Sequence, residues 1–355
     1  MVITKIPTNN INLFIDGLAY SVQKFGGIIT YWNNVLSRLP HLGIQPQLFL
    51  QTKHNFPEKL KKYVSVTDTM SSIEYCNIFH STKYTFLQSA KSQQVVTVHD
   101  TIPNIFPQYF PEFKDKIQKC IDRASHIVAI TENTKRDLLK YYKVNQEITV
   151  IYHGLDDCFH RSHLIDRTTI KANLKIYKID KPLILFVGGR RLYKNFISLL
   201  KAYANLGISK DFDLVVVGSE KKFYPDEEFI ISKFNLGEQV KLTGYVNLEE
   251  LIYLYRTANA FIFSSLYEGF GLPLIEAMAC GTPTACSDIA VFREIGGEIP
   301  VYFDPCNIEA IMTAIKSLLE SDINSRIARG KEHSLDFKWS QSTEKLVKVY
   351  QKVIS

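Results

Sequence analysis

The chain has 355 residues, 46% hydrophobic and 22% charged, the composition of a packed globular protein with room for two domains. No run approaches about 18 apolar residues, which argues against a transmembrane helix, and the apolar run before Asp16 is shorter than a signal peptide needs, so a cytoplasmic protein is expected. A net charge of +6 suits anionic partners in general but selects none among lipid surfaces, phosphorylated ligands and nucleic acid.

Short apolar runs alternate with helical patterns from end to end, the mark of βαβ units and a parallel sheet. In the first half, strands are predicted at 11–15, 46–51, 73–80, 94–100, 126–131 and 148–154, with helices at 27–39, 112–124 and 133–142. Gly26 and Gly27 open the first of these helices, a turn suited to phosphate. Two stretches, 53–63 and 106–119, mix aromatics with lysines. Such stretches can rest on an anionic membrane surface, or they are ordinary solvated faces with lysine stems over apolar neighbours. His80 and the pair His99 and Asp100 end predicted strands, and His99 is expected to point into a cleft. The six cysteines (Cys76, Cys120, Cys158, Cys280, Cys286 and Cys306) show neither Cys-x-x-Cys nor zinc spacing, so reduced thiols are expected.

Residues 155–180 are polar, charged and Pro-terminated, and read as a linker with one short helix. The alternation restarts with strands at 183–188, 213–219, 240–245, 259–265, 283–288 and 301–303. Asn195 is a candidate cap for a helix over 196–206 that Gly207 ends. Asn247 and Glu250 form a capping-box pattern for 248–257. Pro273 suits a first helical turn, and Ser340 a cap for a last helix over 341–354. Asp211-Phe212-Asp213 spells D-x-D, but it precedes a strand, the wrong end of a parallel sheet for a ligand.

Ligands of open parallel sheets bind outside the carboxyl ends of strands, so the loops after strands carry the candidate site. LILFVGGRRLYKNF (183–196) places Arg190 and Lys194 after one strand, cations able to clamp a diphosphate, with Arg191 a third candidate. NAFIFSSLYEGFGLPLIEAMAC (259–280) is strand, loop and helix. Gly269 and Gly271 allow a tight turn, and the N–H groups from Phe270 to Leu274 open a helix that attracts phosphate. Glu268 and Glu276 bracket that turn without an obvious ion-pair partner. Two carboxylates around a phosphate-binding turn suit the two sugars of a nucleotide sugar. No G-x-G-x-x-G, Walker A loop or G-x-S-x-G elbow is present.

The stretches E-G-F-G-L-P-L-I-E and G-G-R-x-x-x-K-N resemble the retaining glycosyltransferases of family 4, and V-H-D-x-I-P, I-T-E-N-T-K-R-D-L and I-Y-H-G-L-D resemble stretches of the same enzymes in the same order. The resemblance implies the GT-B fold, two Rossmann-like doubly wound parallel-sheet domains facing across a cleft. It implies an N-terminal acceptor domain over 1–165, a linker at 166–180, a nucleotide-sugar domain over 181–338 and a helix at 339–355 returning to the first domain. By position, Glu268 binds donor hexose hydroxyls with the backbone of Gly269, Phe270 and Gly271. Leu272 N–H touches the diphosphate, Glu276 holds the ribose, and Arg190 and Lys194 neutralise the diphosphate in place of a metal. The backbone at Tyr245 and Val246 pairs with the base, His99 lies near the reacting face, and Gly26 and Gly27 approach from the other domain.

No placed nucleophile is evident, so the mechanism implied is front-face substitution, with electrostatic stabilisation as the protein's contribution. The donor leans to UDP-glucose over GDP-mannose. The acceptor expected is a saccharide or lipid-linked intermediate of surface polysaccharide, reached at the inner face of the membrane. No metal, cofactor or nucleic-acid partner is expected. An epimerase of the same fold and a non-enzymatic sugar-binding protein are the competing readings. His153 stands where the family more often has Asn.

Overall fold

The computed structural model describes residues 10–69, 76–87, 91–161, 175–218 and 220–355. The chain divides into two compact units, Met1–Gly154 with Phe337–Ser355, and Leu155–Asp336. The break at Gly154 comes ahead of the boundary expected at 165. Residues 157–160 form a short helix that packs on the helix Leu272–Cys280 of the second unit, with Phe159 edge-on to Tyr255. Most of the expected linker lies outside the described residues, as do residues 73–75 of one predicted strand.

In the first unit, β1 (Leu13–Ile15), β2 (Gln47–Phe49), β3 (Ser65–Thr67), β4 (Ile78–Ser81), β5 (Gln93–Val98), β6 (His126–Ala129) and β7 (Ile148–Val150) form a parallel sheet in the order β3-β2-β1-β4-β5-β6-β7. In the second, β8 (Leu183–Val187), β9 (Asp213–Val217), β10 (Val240–Gly244), β11 (Ala258–Phe263), β12 (Thr284–Ser287) and β13 (Val301–Phe303) run parallel in the order β10-β9-β8-β11-β12-β13. These are the two doubly wound sheets that the alternation predicts. The order reverses once in each, between β1 and β4 and between β8 and β11. Ligand sites of such sheets lie at these reversals. The central strands are buried almost throughout, which is why LILFV and DLVVV read as unbroken apolar runs. The strand missed from sequence, β3, is a short, largely exposed edge with no apolar run to announce it.

Local signals decide the element ends. Asn247 and Glu250 form the capping box, each side chain accepting from the other's backbone N–H. Gly207 ends Phe196–Leu206 in the left-handed region. Asn195 does not cap that helix. Its backbone is left-handed, φ 53°, and its amide reaches elsewhere. The last helix starts at Trp339, earlier than a Ser340 cap would allow. It packs Trp339, Leu346, Val347, Val349 and Tyr350 into the first unit's core. A Cβ on Gly154 would stand 2.1 Å from the Trp339 nitrogen, so the I-Y-H-G-L-D stretch needs glycine for the approach of this helix. Among the described residues no helix is long and apolar enough to cross a membrane.

Candidate functional site

The second unit's reversal point is built by two loops stitched together. Asn195 donates from Nδ2 to the carbonyls of Ser264 at 3.1 Å and Pro305 at 2.9 Å. Ser264 Oγ donates back to the Asn195 carbonyl at 3.1 Å, and Leu266 N–H to the Tyr193 carbonyl at 2.7 Å. The strand ends of β8 and β11 are therefore tied, and Lys194 is delivered to Glu268. Lys194 Nζ lies 2.6 Å from Glu268 Oε1, which also accepts from Ser265 Oγ at 2.7 Å. The two side chains are 23% and 11% exposed, accessible yet shielded from bulk solvent. Glu268 thus has an ion-pair partner 74 residues away, which no local reading could supply.

Gly271 sits at φ 97° immediately before the helix Leu272–Cys280. A Cβ there would meet the Phe292 ring at 2.8 Å, so only glycine fits the turn. The side chains of Phe270 and Leu272 are buried, which leaves backbone as what they can offer a ligand. Pro273 falls in the first turn of the helix.

Glu276 lies one turn further in. It is partly exposed, and its charge is felt by Tyr255, Cys158 and Cys280. Burial raises its pKa to about 7, against the opposing effect of the Tyr255 hydroxyl, which donates to Oε2 at 2.9 Å. The two glutamates are handled differently: one is paired with a cation, the other is poised to hold a proton. Gly269 lies in the same loop, whereas Tyr245 and Val246 follow β10, the far edge strand of the sheet. Tyr245 is 60% exposed.

Arg190 requires a correction. Its side chain is fully buried, and Nε pairs with Glu227 Oε1 at 3.1 Å. Nη1 donates to the Glu220 carbonyl at 2.7 Å, and Nη2 donates to the Lys222 carbonyl. Its fork is spent inside the protein, so it does not stand beside Lys194 as an open diphosphate clamp. Burial lifts the Glu227 pKa above the usual carboxylate range despite the pairing with Arg190. Arg191 is exposed, over the Tyr224 ring, with Asp226 at 3.3 Å. Asp213 opens β9, at the amino end of the sheet.

In the first unit, Gly26 has φ 124° and precedes the helix Gly27–Arg38. A Cβ on Gly27 would meet nothing within 4 Å, so packing does not explain that glycine. His99 follows β5 and is buried, 5.1 Å edge-on from Tyr31 and 5.8 Å from His153. Its ring nitrogens have no hydrogen-bond partner among the described residues. Burial lowers its pKa to about 3, so it is neutral at physiological pH. His80 is a structural residue, bonded to the Tyr350 hydroxyl at 2.6 Å and to Thr97 Oγ1 at 2.9 Å.

One residue escaped the sequence reading. Asp16, at the carboxyl end of β1, accepts from Thr82 N–H at 2.9 Å and Ser81 Oγ at 3.2 Å, and from the hydroxyls of Thr82 and Thr85. It ties the reversal point of the first sheet. The available signal was a carboxylate directly after an apolar strand and before Gly17, whose φ is 57°. Among the described residues no group of three or more His, Cys, Asp or Glu side chains is arranged to hold a metal ion.

The family of group 1 glycosyl transferases matches residues 166–333, and glycosyltransferase family 4 matches residues 75–158. A sucrose-phosphate synthase from Thermosynechococcus elongatus superposes with a TM-score of 0.78 at 19% identity, over 97% of this chain and 99% of that one. The class is thus that of the GT-B glycosyltransferases. The chain belongs to the family 4, or group 1, glycosyltransferases. It is 26% identical over 285 residues to O-antigen chain mannosyltransferase B of Escherichia coli, covering 77% of this chain and 74% of the relative. It is 29% identical over 246 residues to O-antigen chain mannosyltransferase RfbU of Salmonella typhimurium, covering 66% and 65%.

Proposed function

We propose that the chain transfers mannose from GDP-mannose to a saccharide or lipid-linked acceptor during synthesis of a surface polysaccharide, with retention of configuration and without a metal. The observation that carries the chemistry is the Lys194–Glu268 pair at the reversal point of the second sheet. The mannosyltransferase names of the curated relatives favour mannose, and the expectation of UDP-glucose gives way to it.

On this reading the Lys194 ammonium faces the donor diphosphate and balances the charge that grows as the phosphate leaves. Glu268 accepts from hexose hydroxyls and Glu276 from the ribose. The helix start at Leu272 adds backbone N–H groups and a favourable dipole to the phosphate site. Neutral His99 offers a ring nitrogen to a sugar hydroxyl. The departing phosphate oxygen takes the acceptor's proton on the face from which the acceptor attacks.

An anionic membrane surface is the setting proposed for the lipid-linked acceptor. Of the two Lys-aromatic stretches, 106–119 fits. Tyr109 is 45% exposed, Phe110 and Phe113 are half-buried, and Lys83 and Lys116 both stand over the Phe113 ring. Stretch 53–63 instead turns Phe56 and Leu60 inward.

The test is donor turnover with GDP-mannose and UDP-glucose, with and without lipid-linked acceptor extracts, alongside calorimetric binding. Acceptor-dependent release of GDP is expected. Hexose conversion without acceptor would indicate an epimerase, and no binding of either nucleotide would refute the proposal. Co-sedimentation with anionic vesicles should weaken in a Lys114→Glu, Lys116→Glu variant; unchanged sedimentation would remove the membrane surface from the reading.

A further inference from the structure

The buried Arg190 fork has a definite target. It grips both carbonyls that flank Lys221, those of Glu220 and Lys222, in the loop after β9. Tyr224 closes the loop from the other side, its ring 4.9 Å from the guanidinium carbon. Glu227 joins the two, pairing with Arg190 through Oε1 and accepting from Tyr224 N–H through Oε2 at 3.0 Å. The backbone on each side of Lys221 is thus fixed from within the protein. Lys221 itself is exposed and directed across the sheet end. Its stem lies over Gly244, where a Cβ would stand 2.8 Å from Lys221 Cε, and its Nζ is 5.4 Å from the Tyr177 ring.

Gly244 ends β10, and Tyr245 and Val246 follow. The strand order places β10 two strands from β8, about 10 Å away at the usual interstrand spacing. That is the reach of one ribose from a diphosphate at the β8 end to a base at the β10 end.

We propose that Arg190 is a positioning residue acting through the Glu220–Tyr224 loop, and that Lys221, held by it, determines specificity by donating a hydrogen bond to a carbonyl oxygen of the donor's nucleobase beside Tyr245 and Val246. This deepens the donor reading given above and rests on it. Lys221 is a compact donor on a long stem, able to meet a base carbonyl at the sheet edge without an ordered pocket. Glycine at 244 leaves room for that stem. A lysine at 190 would keep the charge but could not span two carbonyls and a carboxylate, because only the planar fork presents donors in those directions.

The experiment compares the unmutated protein with Lys221→Ala, Arg190→Lys and the double variant. Each is assayed for donor KM and kcat, and for affinity to GDP, GMP and pyrophosphate. Lys221→Ala is expected to weaken GDP and GMP equally, by roughly tenfold for one lost charged hydrogen bond, and to leave pyrophosphate and kcat unchanged. Arg190→Lys should reproduce this pattern, and the double variant should be no worse than the weaker single.

A loss of pyrophosphate affinity in Arg190→Lys as large as its loss of GDP would overturn the positioning role and return Arg190 to the phosphates. Unchanged GMP affinity in Lys221→Ala would overturn the base contact, and this surface variant decides the matter even where Arg190→Lys fails to fold. If the unmutated protein bound neither GDP nor UDP, the donor reading itself would fall. Normal GDP binding with an indifferent Lys221→Ala would sink this inference alone.

Discussion

Glu276→Gln separates the two glutamates by a titration. The Glu276 carboxyl has a pKa of about 7 in the folded chain, against 4.5 for an ordinary glutamate, with burial as the cause. The native state therefore binds a proton between those values that the unfolded chain has released. Stability from this group is fully present below about pH 4.5 and is lost as pH rises through 7. The shift, at about 1.4 kcal/mol per unit, sets an upper limit of about 3 kcal/mol, which the remaining surface exposure reduces. Glutamine keeps an oxygen for the Tyr255 hydroxyl and has no proton to lose. The difference in unfolding free energy, Glu276→Gln variant minus unmutated protein, should climb from pH 5 to pH 8 and level off above it. Urea unfolding at four pH values measures it. Taking a difference also cancels the titration of the buried histidines, which runs the opposite way. A ribose that hydrogen-bonds the carboxylate favours the ionised form. Nucleotide binding near pH 6 should then release a proton, seen as buffer-dependent heat, and the variant should release none. A difference that stays flat with pH would refute the reasoning.

Lys194→Ala should lower kcat/KM by roughly 10²–10³ with stability little changed, because Ser265 still bonds Glu268; steady-state kinetics with a matched urea curve checks this. Gly271→Ala should cost about 2–4 kcal/mol, from left-handed backbone strain and the Phe292 contact, measured by chemical denaturation. Below about pH 6.5 the protein should lose stability, because burial lowers the pKa of His80 and His99 to about 3 and that of His153 well below its ordinary value. Their depressed values contribute stability above the unfolded pKa that is lost as pH falls. His153→Phe, which keeps an aromatic ring between Tyr31 and Trp339, should show a smaller acid-induced loss.

Much of the second unit was legible because its strands are buried on both faces and its turns use residues with one job. LILFV, DLVVV and NAFIF declare themselves by apolar length. Gly207, Gly271 and the Asn247–Glu250 box mark element ends by chemistry that acts within a few residues. The carboxyl-end rule then directs attention to Lys194 and Glu268 without any contact being known. What sequence could not convey was partnership across distance. Glu268 finds Lys194 only because Asn195 pins one loop to another. Arg190 sits four residues from Lys194 and has the same sign, yet Glu227 and two carbonyls draw it inward. Asp16 looks like the end of a strand until Ser81, Thr82 and Thr85 converge on it. Spacing along a chain reports helix faces and strand alternation. It carries no information on which of two neighbouring cations the fold consumes.

The close approach of Gly154 to Trp339 has a consequence for biosynthesis. A ribosome adding about 5–20 residues per second needs roughly ten to forty seconds to travel from residue 154 to residue 355. Throughout that interval the first sheet and its helices exist without the closing segment, and the groove that will receive Trp339, Leu346 and Tyr350 stays open to water. The second unit, uninterrupted in the chain, has all of its residues first. The usual order of maturation is thereby reversed: the unit whose first residues are made earlier is the later to be sealed, and a chain cut short before Trp339 would hold the second unit whole and the first unfinished.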